Sequence, residues 1–341
     1  MEMTSESKVF LGIEDSCDDT AVAIVSNDKK ILSESKVSHL KVNEPYGGVV
    51  PEITARAHLN HLSQLVREAL KKAKLELHTL DGFAATAGPG LIGGLICGMQ
   101  FAKALSYFHN KPFFGVNHLE AHALTPRLTS DLKFPYILLL ISGGHTQLVK
   151  VNGVRKYQII GSTLDDALGE AFDKVGKMLG LPYPAGPMIE KLAQNGSTSF
   201  NFVRPLCKQK TTDFSFSGLK SDVRRKIEGL NQINQKIRED IACSFQETIK
   251  EVLIKKCSIA IRDNPEIKNF VVSGGVASNK YIRQSLQNMC DTNNVNFIAP
   301  PIELCTDNGV MIAWAGIEND KAGFVDNYNL SPRPRWPLNE I

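Results

Sequence analysis

The chain has 341 residues, 39 Lys+Arg against 36 Asp+Glu, and a formal net charge of +3. Hydrophobic residues make up 43% and charged residues 22%, which excludes a wholly disordered chain. At ~100–200 residues per domain, the length predicts two domains or one large α/β unit. The near-balance of charge excludes a polybasic nucleic-acid coat and leaves room for a local basic surface.

Residues 1–8 carry two Glu and no apolar block, so no signal peptide is expected. No Arg precedes Arg56, which argues against a mitochondrial transit peptide. Residues 9–13 and 21–25 are β-rich runs around Glu14-Asp15-Ser16-Cys17-Asp18-Asp19-Thr20, a hairpin with a polar, acidic tip. Pro51 opens an amphipathic helix whose apolar positions are Ala55, Leu59, Leu62, Leu65, Val66, Ala69, Leu70 and Ala73. A strand over 82–86 follows, then Ala87-Gly88-Pro89-Gly90, a glycine-rich helix to about His109, and a short strand at 113–116.

The pattern then restarts. Residues 136–141 read as a strand, Ser142-Gly143-Gly144-His145-Thr146 as a tight turn and 147–151 as the return strand. That first run holds the longest aliphatic stretch, 137–141, far short of the ~20 residues of a spanning helix, so no membrane is expected. A helix over 165–179 ends near Gly180, and another begins at Pro187. Residues 195–235 read as a loop-rich insertion with a short helix near 218–227, and 237–261 as the longest helix. A strand at 269–272 feeds Ser273-Gly274-Gly275-Val276 and a helix from about Asn279. Residues 307–322 form the last helix and 331–337 an extended tail. Each half thus holds a hairpin and a strand–glycine-loop–helix unit, a duplicated architecture. Seven scattered cysteines without a CxxC argue against a disulfide framework and for a reducing cytoplasm.

Several constellations carry chemistry. His118-Leu119-Glu120-Ala121-His122 puts two imidazoles on one helix face, able to share a metal ion that still lacks a third ligand. Glu120 is third rather than second, unlike the His-Glu-x-x-His of zinc proteases. Two buried, hydrogen-bonded histidines are the alternative reading. Gly88-Pro89-Gly90, Gly143-Gly144 and Gly274-Gly275 follow strands and can bring backbone N–H groups to an anionic oxygen. None matches a Walker A or dinucleotide fingerprint. Asp15, Asp18 and Asp19 crowd one tip, and Asp307 stands where a helix N-cap is expected. The basic runs Lys71-Lys72-Lys74, Arg224-Arg225-Lys226, Lys255-Lys256 and Arg333/Arg335 read as solvated faces.

Taken together and in order, the motifs resemble the TsaD family, historically misnamed a glycoprotease. Those in the first half are Gly12-Ile13-Glu14-Asp15-Ser16-Cys17-Asp18-Asp19-Thr20, Tyr46-Gly47-Gly48-Val49-Val50-Pro51-Glu52, Thr86-Ala87-Gly88-Pro89-Gly90-Leu91 and His118-Leu119-Glu120-Ala121-His122. Those beyond are Ser142-Gly143-Gly144-His145-Thr146, Gly169-Glu170-Ala171-Phe172-Asp173-Lys174, Tyr183-Pro184-Ala185-Gly186-Pro187 and Phe214-Ser215-Phe216-Ser217-Gly218-Leu219-Lys220. Gly274-Gly275-Val276-Ala277-Ser278-Asn279 and Cys305-Thr306-Asp307-Asn308-Gly309 close the series. The Tyr46–Glu52 motif looks like the bacterial or organellar branch.

The resemblance implies an α/β fold of two related actin-, Hsp70- and sugar-kinase-like (ASKHA) domains flanking a cleft. One would span 8–132 plus 307–325 and the other 133–306 with a helical insertion, leaving 326–341 as tail. It implies transfer of the threonylcarbamoyl group from threonylcarbamoyl-AMP to N6 of the tRNA adenosine just 3′ of the anticodon, in tRNAs reading codons that start with A. It also implies TsaB and the ATPase TsaE as partners. His118 and His122 match its metal-binding histidines and Asp307 its third ligand, on the hinge side of the opposite domain. The implied metal is one divalent ion, Fe²⁺ or Zn²⁺. Leu140, Ile141, Ser142, Gly143, Gly144, Asp173, Gly186 and Asn279 match its nucleotide- and substrate-binding positions, and Asp18 its catalytic acid. Asp19 stands where Glu is more frequent, and Ala185 where Gly is common. A metalloprotease, a small-metabolite kinase of the same superfamily and an inactive scaffold are the rival readings.

Overall fold

The computed structural model describes residues 7–43 and 49–341. The Tyr46-Gly47-Gly48 part of the motif series and residues 1–6 lie outside the described residues. The chain divides into two compact units, Met1–Asp131 with Val154–Lys156 and Asp307–Ile341, and Leu132–Gly153 with Tyr157–Thr306.

In the first unit, β1 (Val9–Glu14), β2 (Asp19–Ser26), β3 (Ile31–Ser38), β4 (Gly82–Gly88) and β5 (Phe113–Asn117) form one sheet in the order β3-β2-β1-β4-β5. The hairpin β1–β2 is antiparallel, with Glu14 opposite Ala21, and β3 continues it antiparallel. Strands β4 and β5 run parallel to β1. Its helices before residue 131 are α1 (Leu40–Asn43), α2 (Pro51–Ala73), α3 (Ile92–His109) and α4 (His118–Thr129). Leu62, Leu65, Val66 and Ala69 of α2 join Leu11, Ile13, Val22 and Phe83 in the core. Leu59, expected on that apolar face, is instead 63% exposed.

The second unit repeats the plan. Its sheet is built from β6 (Tyr136–Ile141), β7 (Thr146–Gly153), β8 (Lys156–Ser162), β9 (Asn269–Ser273) and β10 (Asn296–Ile298), in the order β10-β9-β6-β7-β8. Strand β7 is antiparallel to β6, β9 is parallel to β6, and β10 is parallel to β9. Read from β8, this is the strand order of the first sheet, and the β6, β7, β9 and β10 directions match those of β1, β2, β4 and β5, so the duplication legible in the sequence is present in the fold. Between the strands run α5 (Leu168–Met178), α6 (Gly186–Ala193), α7 (Ser217–Glu228), the long α8 (Gln235–Arg262) and α9 (Lys280–Thr292). Phe172 of α5 meets Phe245 of α8 edge to face, with ring centroids 5.3 Å apart.

Three expectations are corrected here. The last helix, α10, spans Gly309–Lys321 and is capped by Asn308, whose side chain accepts from Met311 N; Asp307 is therefore free of capping. The C-terminal segment packs back onto the first unit: Trp336 joins its core, and Arg333 N donates to Ala87 O at 2.7 Å. In the run Lys255-Lys256, Lys256 is fully buried in the second unit, and its ammonium donates to Leu206 O and Thr211 O. Among the described residues no helix is long and apolar enough to cross a membrane.

Candidate functional site

In the first unit, the ends of β1, β4 and β5 place Glu14, Thr86 and His118 together. Parallel strands open their carboxyl ends to ligands, because helices cover the faces and only the loops remain free. Asn117 ends β5 and caps α4, its Oδ1 accepting from Leu119 N and Glu120 N, while its Nδ2 donates to Trp336 O at 2.9 Å. That cap fixes His118 as the first helical residue, and His122 follows one turn later on the same side. The rings lie 4.8 Å apart, edge to face.

Asp307 completes the set. Its Oδ1 is 3.4 Å from His118 Nε2 and 3.1 Å from His122 Nε2. One ligand atom from each of the three residues falls within 4.8 Å of the others. Asp307 lies in the same compact unit as both histidines, because the chain returns to the first unit at residue 307; this agrees with the 8–132 plus 307–325 division and corrects the opposite-domain placement of the third ligand.

Glu14, which the sequence reading did not single out, supports this trio. Its Oε2 lies 3.1 Å from His118 Nδ1, it also receives Thr86 Oγ1, and Oε1 accepts from Ser16 N and Oγ. A buried carboxylate on the far nitrogen of a histidine fixes the ring and leaves Nε2 as the ligand atom, the usual arrangement behind a metal-binding histidine. Burial alone would raise the Glu14 carboxyl, but His118 beside it holds it lowered. Burial likewise opposes charge on His118 and Asp307. Glu14 and Asp307 nonetheless push the His118 ring well above its ordinary value, and the histidines hold Asp307 well below its own. Two imidazole nitrogens, one carboxylate oxygen and a carboxylate behind one ring fit a divalent cation.

The acidic tip divides into three roles. Asp15 is fully buried, its carboxyl against the α3 backbone at Gly98 without a well-formed hydrogen bond; burial and the Glu14 charge push it well up. Asp18 is half-buried, and desolvation followed by the Asp19 charge raises it, with Asp307 adding. Asp19 pairs with Lys36 at 2.7 Å, and the same ammonium donates to Asp307 O at 2.7 Å. Lys36 thus ties the tip to Asp307. The tip is not simply a solvated turn.

In the second unit, Leu140 and Ile141 are buried at the end of β6 and lead into Ser142-Gly143-Gly144. Ser142 closes the turn, its N–H donating to His145 O and its Oγ accepting from His145 N. Strand β9 ends beside β6, with Leu140 opposite Ser273. Gly274 there needs to be glycine: its φ is +94° and a Cβ would lie 2.5 Å from Ile141 O. Gly143, Gly144, Gly186 and Gly275 differ, because a Cβ on any of them would meet nothing within 4 Å. Asp173 Oδ1 accepts from Ala185 N at 2.8 Å, and burial raises its carboxyl. Asn279 is committed to the fold, its Oδ1 capping α9 at Ile282 N and its Nδ2 donating to Gln246 Oε1. Gln246 lines a pocket of about 310 Å³ with Glu190, Glu247, Lys280 and Tyr281.

Two repeats of one α/β plan, each a five-stranded mixed sheet, define the two-domain actin-like fold. A solved structure of HypF from T. kodakarensis superposes with a TM-score of 0.60 at 15% identity, covering 93% of this chain and 48% of that one. Component A of the (R)-2-hydroxyglutaryl-CoA dehydratase of Acidaminococcus fermentans does so with a TM-score of 0.54 at 17% identity, covering 93% and 100%. These likenesses bear on fold alone.

The family model for TsaD, tRNA N6-adenosine threonylcarbamoyltransferase, matches residues 30–314, and the chain belongs to that family. A protein of that name from Brucella anthropi is 50% identical over 342 residues, covering 97% of this chain and 95% of its own. One from Brucella canis is 51% identical over 341 residues with the same coverage. The chain is accordingly a transferase of tRNA modification, and neither the protease nor the kinase reading is favoured.

Proposed function

We propose that this chain moves the threonylcarbamoyl group from threonylcarbamoyl-AMP to N6 of the adenosine 3′ of the anticodon, using His118, His122 and Asp307 to hold one divalent ion. Fe²⁺ is our first choice and Zn²⁺ the second. The observation that supports this reading most is the convergence of those three side chains with Glu14 behind His118. When bound, such an ion supplies Lewis acidity to the carbonyl that is attacked.

The chain's own residues account for the rest. In the transfer, N6 forms a bond to the carbonyl carbon, the carbon–oxygen bond to the AMP phosphate breaks, and one N6 proton goes to Asp18. The raised Asp18 carboxyl suits a base, because proton transfer works best when acceptor and medium are near balance. A Cβ on Gly143 or Gly144 would meet open space, which leaves room beside this turn for the leaving phosphate. Leu140, Ile141 and Ser142 shape that turn. Asp173 and Asn279 take the ribose and adenine side of the nucleotide, with Gly186 at the start of α6; Asn279 does so through the segment it caps. The donor is already activated, so no protein nucleophile is required.

TsaB and TsaE are the proposed partners, tRNA the acceptor and the cytoplasm the site of action, in line with the bacterial-branch motifs. The test is reconstitution of this protein, TsaB, TsaE, threonylcarbamoyl-AMP and unmodified tRNA, with each component omitted in turn. Modified adenosine should appear in the complete mixture and vanish without this chain. Its formation without this chain would overturn the reading.

A further inference from the structure

The loop that carries Asp18 is held by three successive carbonyls. Ser16 O accepts from Leu91 N at 2.7 Å, Cys17 O lies 3.2 Å from His58 Nε2, and Asp18 O accepts from His39 N at 2.8 Å. Only the middle grip is a side chain. From behind, α3 closes on the same place: a Cβ on Gly94 would lie 2.0 Å from Asp15 O and 3.0 Å from His58 Nε2.

The hydrogen bonds of this grip run in one direction. A carbonyl can only accept, so His58 Nε2 carries the proton. Burial pushes His58 down, so the ring is neutral and its Nδ1 is an acceptor. Thr20 Oγ1, 2.6 Å away, donates to it. The lone pair of that hydroxyl faces His39 Nε2 at 2.7 Å, which therefore donates. His39 is neutral too: burial, then His58 and His61, push it down to about 4, against the Asp19 charge. His58 in turn faces the charges of Glu14 and Asp19. Thr20, His39 and His58 are all buried. A threonine hydroxyl between two imidazoles therefore fixes which His58 nitrogen meets the loop.

We propose that His58 is a positioning residue for the transfer reaction, oriented by Thr20 and His39 so that its Nε2–H holds Cys17 O and sets the place of Asp18. This deepens the assignment of Asp18 as proton acceptor and rests on it. A misplaced catalytic group by about 1 Å can cost on the order of 10²-fold in rate.

The test uses full-length protein with its partners and a double-mutant cycle, because residues acting as one unit are non-additive. His58→Ala should lower kcat on the order of 10²-fold, with KM for threonylcarbamoyl-AMP and bound metal per chain unchanged. His58→Gln, which keeps an N–H for Cys17 O, should recover most of that loss. Thr20→Val should lower kcat about tenfold and Thr20→Ser restore it. In an Asp18→Asn background, His58→Ala should cost less than about twofold more. Long-range ¹H–¹⁵N spectra of the rings should show His58 neutral and protonated at Nε2 at neutral pH, and a tautomer mixture in Thr20→Val.

Wild-type kcat in His58→Ala, an equal His58→Ala loss in both backgrounds, or a wild-type His58 protonated at Nδ1 alone would each overturn the inference. If His58→Ala does not fold, the Thr20 pair and the ring spectra decide. Full activity of Asp18→Asn would instead refute the base assignment, which keeps the two failures distinct.

Discussion

Glu14 Oε2 lies 3.1 Å from Nδ1 of His118, and that contact turns the other nitrogen of the ring toward Asp307. Removing such a supporting carboxylate typically weakens metal binding 10- to 100-fold. Glu14→Gln should therefore lower divalent-ion affinity about tenfold, and Glu14→Ala by more, with the fold retained. Competition against a chelator, read by elemental analysis, measures this. Wild-type affinity in Glu14→Ala would remove Glu14 from the site.

Asp15 predicts a pH effect. Burial and the Glu14 charge raise its carboxyl above the ordinary 3.8. Between its unfolded and folded values the native state binds the extra proton, so stability falls as pH rises through that window. Below 3.8 the contribution is fully present. Asp15→Asn has no such proton to lose, so its melting temperature should gain on the wild type progressively as pH rises above about 4. A constant difference across that range would contradict the assignment.

The glycines predict opposite outcomes at neighbouring turns. Gly274→Ala forces a side chain into φ +94° and onto Ile141 O, and should destabilise by on the order of 1–3 kcal/mol. Gly143→Ala and Gly144→Ala meet open space and should leave the melting temperature within a few degrees of wild type. If the turn receives the donor phosphate, they should still raise KM for threonylcarbamoyl-AMP. Chemical denaturation and initial rates separate the two effects.

The C-terminal segment is structural. Trp336 is 7% exposed within the first unit's core, and its carbonyl receives Asn117 Nδ2, the residue that caps α4, which carries His118 and His122. Trp336→Ala should cost about 3 kcal/mol in urea unfolding. A loss below about 0.5 kcal/mol would mean the segment is a loose tail after all.

Much of the fold is legible in the sequence. The hairpins and the strand–glycine-loop–helix units stand out because buried parallel strands are short apolar runs ending in glycine. Strands β3 and β8 are not legible in the sequence, because Ile31–Ser38 and Lys156–Ser162 mix polar and apolar residues at sheet edges. Strand β10 is only three residues long. His118 and His122 are legible through helical spacing, whereas Asp307, 185 residues beyond His122, stands at a position that reads as a cap, a role Asn308 fills. Glu14 was hidden in a motif whose three aspartates drew attention. Its partners, Thr86 and His118, are distant in sequence and meet it only where parallel strands end side by side. Thr20, His39 and His58 are likewise brought together by tertiary packing alone.

Threonylcarbamoyl transfer is proposed to depend on an ion held by His118, His122 and Asp307. Mass spectrometry of nucleosides from tRNA treated with the reconstituted mixture tests it most directly, using His118→Ala and Asp307→Ala proteins shown to be folded by circular dichroism. Neither variant should give modified adenosine, and both should lose bound metal in parallel. Wild-type levels of modified nucleoside from either one would contradict it.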